Sequence, residues 1–404
     1  MTRLRPTPDR TVEWRYRAHS MAVERRLPSH CRAKASLGDA ILAESGAAIR
    51  VDVHDGPPEL WFPREDVYQR AIEQYGDGLV RIGANSLKNY LAFDPDKVRI
   101  DLIDFGRGSD ERDVTVKQFP TWGDASDLIE LIDVQLDEGT RFRSQAKSDW
   151  RRPVVEGSQI LGQAVVAASR LASGRRMYSA SMIFTRGTDA KSQYCLEFDQ
   201  ISSGRTFTAM QVRAIQTERI CAIGSLLLGA PASPLIRHAE PAPDVAGPYE
   251  STPYDMSVTG RDVRIVDDAY TGDPDAPIGP PEIHVWVRFR DVPEDQPVHE
   301  GLLAQFTGHM SIAAALRPHP GIGQSQAHRS LSTSINAISL SIHSDVHADR
   351  WMLYSHRSTF AGDGMTHAEC RVHSEDGVLV ASFTVQAMVR AFADSVQVDP
   401  RTAM

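Results

Sequence analysis

Apolar and polar positions alternate from Ile283 through Val285, Val287 and Phe289, and past Pro293 and Pro297 the period changes. Leu302, Leu303, Phe306 and Met310 then recur at helical spacing. This predicts a strand over Ile283 to Arg290 that feeds a buried helix from Val298 to Leu316. Strand-like runs follow at Ser334 to His343, Arg350 to Phe360, Thr366 to His373 and Gly377 to Phe392, with Asp376-Gly377 supplying the positive-φ chemistry of a tight hairpin.

The same grammar occurs upstream. Asp127 to Leu136 reads as a short amphipathic helix. Gly157 to Leu171 is a stronger one, with Ile160, Leu161, Ala164, Val165, Ala168 and Leu171 on one face. Its other positions are small (Gly157, Ser158, Gly162, Ala167, Ser169), which lets a sheet approach closely. Strand-like runs follow at Tyr178 to Arg186, Ser192 to Ser202, Arg205 to Gln216 and Arg219 to Leu228, the last two separated by the hairpin-length Thr217-Glu218. Between the copies, residues 231–259 are proline-rich (Pro231, Pro234, Pro241, Pro243, Pro248, Pro253) and read as a linker.

One helix wrapped by antiparallel strands, twice over, is the pattern of an α+β tandem (double) hotdog, with two antiparallel sheets each wrapping a long helix. Other α+β sandwiches share the bare pattern. The expected boundaries are a smaller β-rich N-terminal domain over 1–120, the first hotdog over 121–230, the linker over 231–259, the second hotdog over 260–393 and a tail over 394–404. In the N-terminal part, strand-like segments flank Pro57-Pro58, and a helix begins at Pro63 with Val67, Ala71 and Ile72 as its apolar face.

Composition narrows the function. The 404 residues are 41% hydrophobic and 24% charged, ordinary for a globular protein, and no apolar run reaches the length of a spanning helix. The net charge of −9 argues against nucleic acid as a partner, although the first 34 residues hold nine Arg/Lys against three Asp/Glu. A cytoplasmic location is expected. Cys31, Cys195, Cys221 and Cys370 form no CxxC pair, and the histidines form no HExxH, so no metal is expected.

From about Gly123 to Phe392 the chain resembles the acyl-CoA thioesterase II family of double-hotdog proteins. The resemblance rests on VVEGSQILGQAVVAASR (Val154 to Arg170), YSASMIFTRGTD (Tyr178 to Asp189), SSGRTFTAMQVRAIQ (Ser202 to Gln216), VWVRFRDVPEDQPVHEGLLAQF (Val285 to Phe306) and EDGVLVASFTVQAMVR (Glu375 to Arg390). A weaker likeness links Pro63 to Val67 to a small β-rich actinobacterial domain of unknown function; Trp61, Arg64 and Asp66 are its residues of interest.

The family holds the attacking water with a helix aspartate, a strand serine or threonine, and a glutamine of the last strand. The resemblance carries these roles to Ser334 and Gln386, and sets Asn336 where many members have aspartate. The family's LAY-x-SD becomes LAQFTGH, so Gly308 stands at the aspartate position with His309 beside it. A glycine cannot orient water, whereas an imidazole can act as a base near neutrality. The resemblance therefore implies hydrolysis of an acyl-CoA or acyl-carrier thioester by a homodimer without a cofactor, carried by His309, Ser334, Gln386 and Asn336. Two alternatives stay open: a non-hydrolytic acyl-thioester-binding protein, and a hotdog enoyl-thioester hydratase or dehydratase.

Further candidates have plainer roles available. These are Gln159 and Gln163 along the first helix, Glu156 at its positive end, Arg213 and Gln216 on the hairpin, and Arg317, His319 and His328 after the second helix.

Overall fold

A computed structural model of the chain describes residues 23–27, 29, 31–52, 58–69, 73, 79–95, 97–105, 115–119, 125–144, 154–254, 260–269, 276–327 and 330–392. Most of the basic leader, Pro57, Ala71, Ile72, His328 and the tail lie outside the described residues. The chain divides into two compact units, with the boundary between Gly123 and Asp124. Among the described residues no helix is long and apolar enough to cross a membrane.

The first unit is β-rich. One sheet holds β1 (Val23–Arg26), β4 (Ile49–Asp52), β5 (Glu59–Pro63), β7 (Tyr90–Phe93) and β6 (Val80–Ile82), in that order. The other holds β3 (Ala40–Ser45), β2 (Cys31–Leu37), β8 (Arg99–Asp104) and β9 (Thr115–Gln118). Ala33, Ala35, Leu42, Leu60, Phe62, Phe93 and Ile100 share one core. Pro63 opens a single 3₁₀ turn (Arg64–Asp66). Trp61 is buried against Arg81, and Asp66 accepts a hydrogen bond from Ser45 at 2.6 Å, so both hold structure.

The second unit is built on one sheet, which corrects the expectation of two. Its first half supplies β10 (Gln135–Glu138), β11 (Arg141–Arg143), β12 (Arg176–Phe184), β13 (Cys195–Ser203), β14 (Phe207–Gln216) and β15 (Arg219–Gly229). The second supplies β16 (Thr252–Pro253), β17 (Arg261–Ile265), β18 (Glu282–Phe289), β19 (Leu331–Ile342), β20 (Met352–Gly362), β21 (Met365–Ser374) and β22 (Leu379–Ala391). The spatial order is β10-β11-β13-β14-β15-β12-β19-β22-β21-β20-β18-β17-β16, mirrored about the β12–β19 seam except for the extra edge strand β16. There Ser179 to Ile183 pair antiparallel with Ser341 to Ala337. Matching bulges mark the repeat, because Tyr178 is the extra residue of β12 and Asn336 that of β19. The Thr217-Glu218 turn has φ of 46° and 62°, the left-handed pair that a two-residue hairpin needs.

The helices are α1 (Ser126–Ile132), α2 (Gly157–Leu171), α3 (Gln296–Phe306) and α4 (Ser311–Leu316). The expected long second helix is thus broken, and residues 307–310 form a turn between α3 and α4. The central pair α2 and α3 run antiparallel at close range. A β-carbon on Gly162 would lie 2.7 Å from the Gly301 carbonyl oxygen, and one on Gly301 would lie 2.5 Å from Val166 Cγ2. Only glycine permits this approach. Each of these glycines stands six residues beyond its helix N-cap, Glu156 or Asp295, so the repeat extends to the helix pair.

The linker packs rather than floats. Val245, Ala246 and Tyr249 cover the Trp286/Trp351 cluster, and Trp286 donates to the Ala246 carbonyl at 2.9 Å. Pro253 sits on the edge strand β16, where no ladder donor is needed.

On α3, Glu300 is only 5% exposed, and burial pushes its carboxyl up to about 7, Asp345 adding to the rise and Arg176 opposing it. The folded state therefore binds this proton more tightly than the unfolded chain. The stabilisation is complete below the unfolded value of 4.5 and is lost as pH rises toward 7. Glu300→Gln should be nearly neutral for stability near pH 4.5 and stabilising by up to about 3 kcal/mol at pH 8, read by urea unfolding. Equal effects at the two pH values would contradict this.

Candidate active site

The antiparallel pairing brings the N-terminus of α2 to the C-terminus of α3. Glu156 is the N-cap of α2 in extended geometry, and its side chain makes no capping hydrogen bond. The carboxylate turns instead toward the second half. Its Oε2 accepts from Gln305 Nε2 at 3.5 Å and lies 3.6 Å from His309 Nε2. The first-turn N–H groups of Gly157 and Ser158 open beside it, as the geometry of any helix start dictates.

His309 owes its place to the break after α3. Thr307 Oγ1 donates back to the Ala304 carbonyl at 2.7 Å, and His309 N donates to Phe306 O at 3.0 Å. Met310 then adopts φ +68°, a left-handed conformation costly for a side chain of its size and of a kind that clusters at working sites. The His309 ring packs against Phe306 at 4.9 Å, with its side chain 12% exposed and its Nε2 buried toward Glu156. Phe306 is itself held between Tyr354 and the Arg261 guanidinium.

A second histidine stands close by but cannot share the work. Burial, helped by the charges of His284 and His309, pushes His356 down to about 3, and Ser311 Oγ lies 3.1 Å from its Nδ1. A nitrogen that weak is a poor base, which leaves His309 as the candidate base of the two.

The space beside Gly308 is filled from the other half. A β-carbon on Gly308 would lie 2.3 Å from Ser158 Oγ and 3.3 Å from Ile335 Cδ1. Ser158 thus occupies the space that a side chain at 308 would need. Asn336, the bulge residue next to Ile335, has a buried Oδ1 without a hydrogen-bond partner.

Of the other expected residues, Gln386 lies on the opposite face of the sheet from this group. Gln386 is exposed, pairs with Ala337 and lines the open face of the sheet with Ser181, Gln211 and Arg213, while its neighbours Val385 and Ala387 are buried. Ser334 pairs with Met388 across the sheet and makes no hydrogen bond to Glu156 or His309 among the described residues. Gln163 holds the Leu131 carbonyl and accepts from Tyr194, beside which Gln159 is also buried. Gln216 clamps the 189–192 loop, Arg213 pairs with Glu197 and Asp199, and Arg317 donates to the Glu282 carbonyl. His319 is exposed in the loop after α4.

At the twofold-related end of the helix pair, Asp295, Val166 and Arg170 stand in the places of Glu156, Gln305 and His309, and Arg170 is paired with Asp133. The related positions therefore do not repeat the Glu156–His309 pairing; the imidazole at that end is His299, whose Nδ1 accepts from Ala348 N–H at 2.9 Å and lies 3.8 Å from Asp349.

Two family models cover this unit. "Acyl-CoA thioesterase N-terminal domain" matches residues 146–229 and "Acyl-CoA thioesterase C-terminal domain" matches residues 238–389, together more than half of the chain. The chain belongs to the acyl-CoA thioesterase family. It is 25% identical over 297 residues to human acyl-coenzyme A thioesterase 8, covering 65% of this chain and 86% of that protein. The crystal structure of the acyl-CoA thioesterase II TesB2 of Mycobacterium marinum superposes with a TM-score of 0.56 at 22% identity, covering 66% of this chain and 99% of that one. A hot dog-fold protein of unknown function from Alicyclobacillus acidocaldarius gives 0.53 at 15% identity, covering 66% and 99%. This thioesterase-family chain has the hotdog fold in its second unit, and residues 1–145 lie outside both family models.

The Ser158/Gly308 exchange makes a direct prediction. Gly308→Asp alone should lower the melting temperature by several degrees, because Ser158 Oγ blocks the new side chain. Ser158→Gly in the same chain should recover most of that loss. A Gly308→Asp protein as stable as the parent would show that the space is not filled.

Proposed function

We propose that the chain hydrolyses acyl-CoA thioesters to a free acid and CoA, with Glu156 supplying the carboxylate that the family places at position 308. The observation that carries this reading is the approach of Glu156 Oε2, from the first half, to His309 Nε2 at the end of α3 in the second. A carboxylate in that place favours the imidazole tautomer protonated at Nε2, which makes Nδ1 the basic nitrogen. In the reaction His309 takes a proton from water as its oxygen bonds to the thioester carbon. The carbonyl oxygen, now anionic, faces the first-turn N–H groups of α2. Collapse breaks the C–S bond, and the proton passes to the departing sulfur. Asn336 supplies an amide for the water or the carbonyl. No cofactor is invoked, because a thioester is already an activated acyl group. The binding-only alternative rested on the loss of a carboxylate at Gly308, and Glu156 removes that motive.

Thiol release over a series of acyl-CoA chain lengths tests this. Glu156→Gln and His309→Ala should each lower kcat by roughly 100-fold, whereas Gln386→Ala should stay within about twofold, since Gln386 lies on the other face. Full activity in His309→Ala would sink the reading.

We also infer a homodimer in which the open sheet face of one chain covers that of another. On that face Ile183 is 54% exposed and Ile223 42%, around the depression that also holds Gln386. Light scattering should report a dimer for the parent and a monomer for Ile183→Glu; a monomeric parent rules the arrangement out.

A further inference from the structure

The Glu156 carboxylate is held by more than its approach to His309. Arg261 Nη1 donates to Gln305 Oε1 at 3.0 Å, and Gln305 Nε2 donates to Glu156 Oε2 at 3.5 Å. The two ends of this chain fix the amide between them. A guanidinium can only donate and a carboxylate can only accept, so the Gln305 oxygen must face Arg261 and its nitrogen must face Glu156. Arg261 is steadied by the Phe306 ring, whose centroid lies 5.2 Å from its Cζ, and by its place on β17 opposite Phe289. Gln305 is only 5% exposed, so water has little access to substitute for the amide.

These contacts coincide with departures from the family pattern. Gln305 stands where the resemblance has the tyrosine of LAY, and Gly308 stands where it has the aspartate. Each departure bears on the same point: one vacates the old carboxylate position, and the other provides a donor for the new carboxylate across the helix pair. A tyrosine at 305 would have to accept and donate through a single hydroxyl oxygen, whereas the amide uses two separate atoms.

We propose that Gln305 is a positioning residue that relays the fixed charge of Arg261 to Glu156 and so holds that carboxylate toward His309. This rests on the Glu156–His309 reading above. Gln305 acts through Glu156 alone and touches neither water nor thioester. Its contribution therefore exists only while Glu156 is a carboxylate, and it belongs to kcat rather than to substrate binding.

A double-mutant cycle on the full chain tests this, with kcat and KM from thiol release and folding checked by thermal denaturation. Gln305→Met removes the amide at similar volume and should lower kcat roughly tenfold, with KM within about twofold. In the Glu156→Gln background the same change should cost nothing further. Should Gln305→Met fold poorly, Gln305→Glu provides the same cycle, since it presents an acceptor to Glu156 at nearly unchanged size. Losses that multiply across the cycle overturn the positioning role and leave the Glu156–His309 reading standing. A Glu156→Gln enzyme with parental kcat overturns that reading, and this proposal with it. A Gln305 effect confined to KM also overturns the relay.

Discussion

The contact between Gly162 and Gly301 is the constraint on which the rest of the second unit depends. With no side chain on either, the two central helices meet backbone to backbone, and the register of that crossing decides which ends face each other. It sets the start of α2 against the end of α3, which is how Glu156 comes to lie beside Gln305 and His309. A side chain at either glycine would separate the helices by ångströms. The carboxylate and the imidazole tolerate no such change.

Given that register, the chemistry is laid out by two local devices. The Thr307 to Met310 turn stops α3 at Phe306, three residues before His309, and the left-handed Met310 redirects the chain into α4. On the facing helix, Ser158 fills the place opposite Gly308. A glycine at 308 and a serine at 158 are thus complementary, and a larger residue at 308 or a smaller one at 158 would leave a clash or a void.

The sheet was legible in the sequence because its physics is local. Alternation in Ile283 to Phe289 and the turn residues at Thr217-Glu218 and Gly377 predict strands and hairpins that the structure contains. The break after α3 was hidden, because apolar residues continue through Met310 and Ile312 at helical spacing. Gln386 shows how period two misleads: neighbouring strand residues face opposite sides, and its buried neighbours Val385 and Ala387 are the ones that face the helices. The Glu156 contact was beyond reach for a different reason. It joins helices whose meeting residues are 149 positions apart, and no short motif encodes such a pairing.

The seam between β12 and β19 has a further consequence. When two identical subunits build a twofold sheet, every substitution appears at both related ends, so a change that suits one end must also be tolerated by the other. Covalent fusion of the halves lifts that coupling. Here one end of the helix pair carries Glu156 and His309, while its counterpart carries Asp295 and Arg170, the latter tied to Asp133. The two ends of a symmetric frame are thereby free to differ. A fused repeat can therefore trade the aspartate of one half for a glutamate of the other, a change that a true homodimer would have to make twice at once.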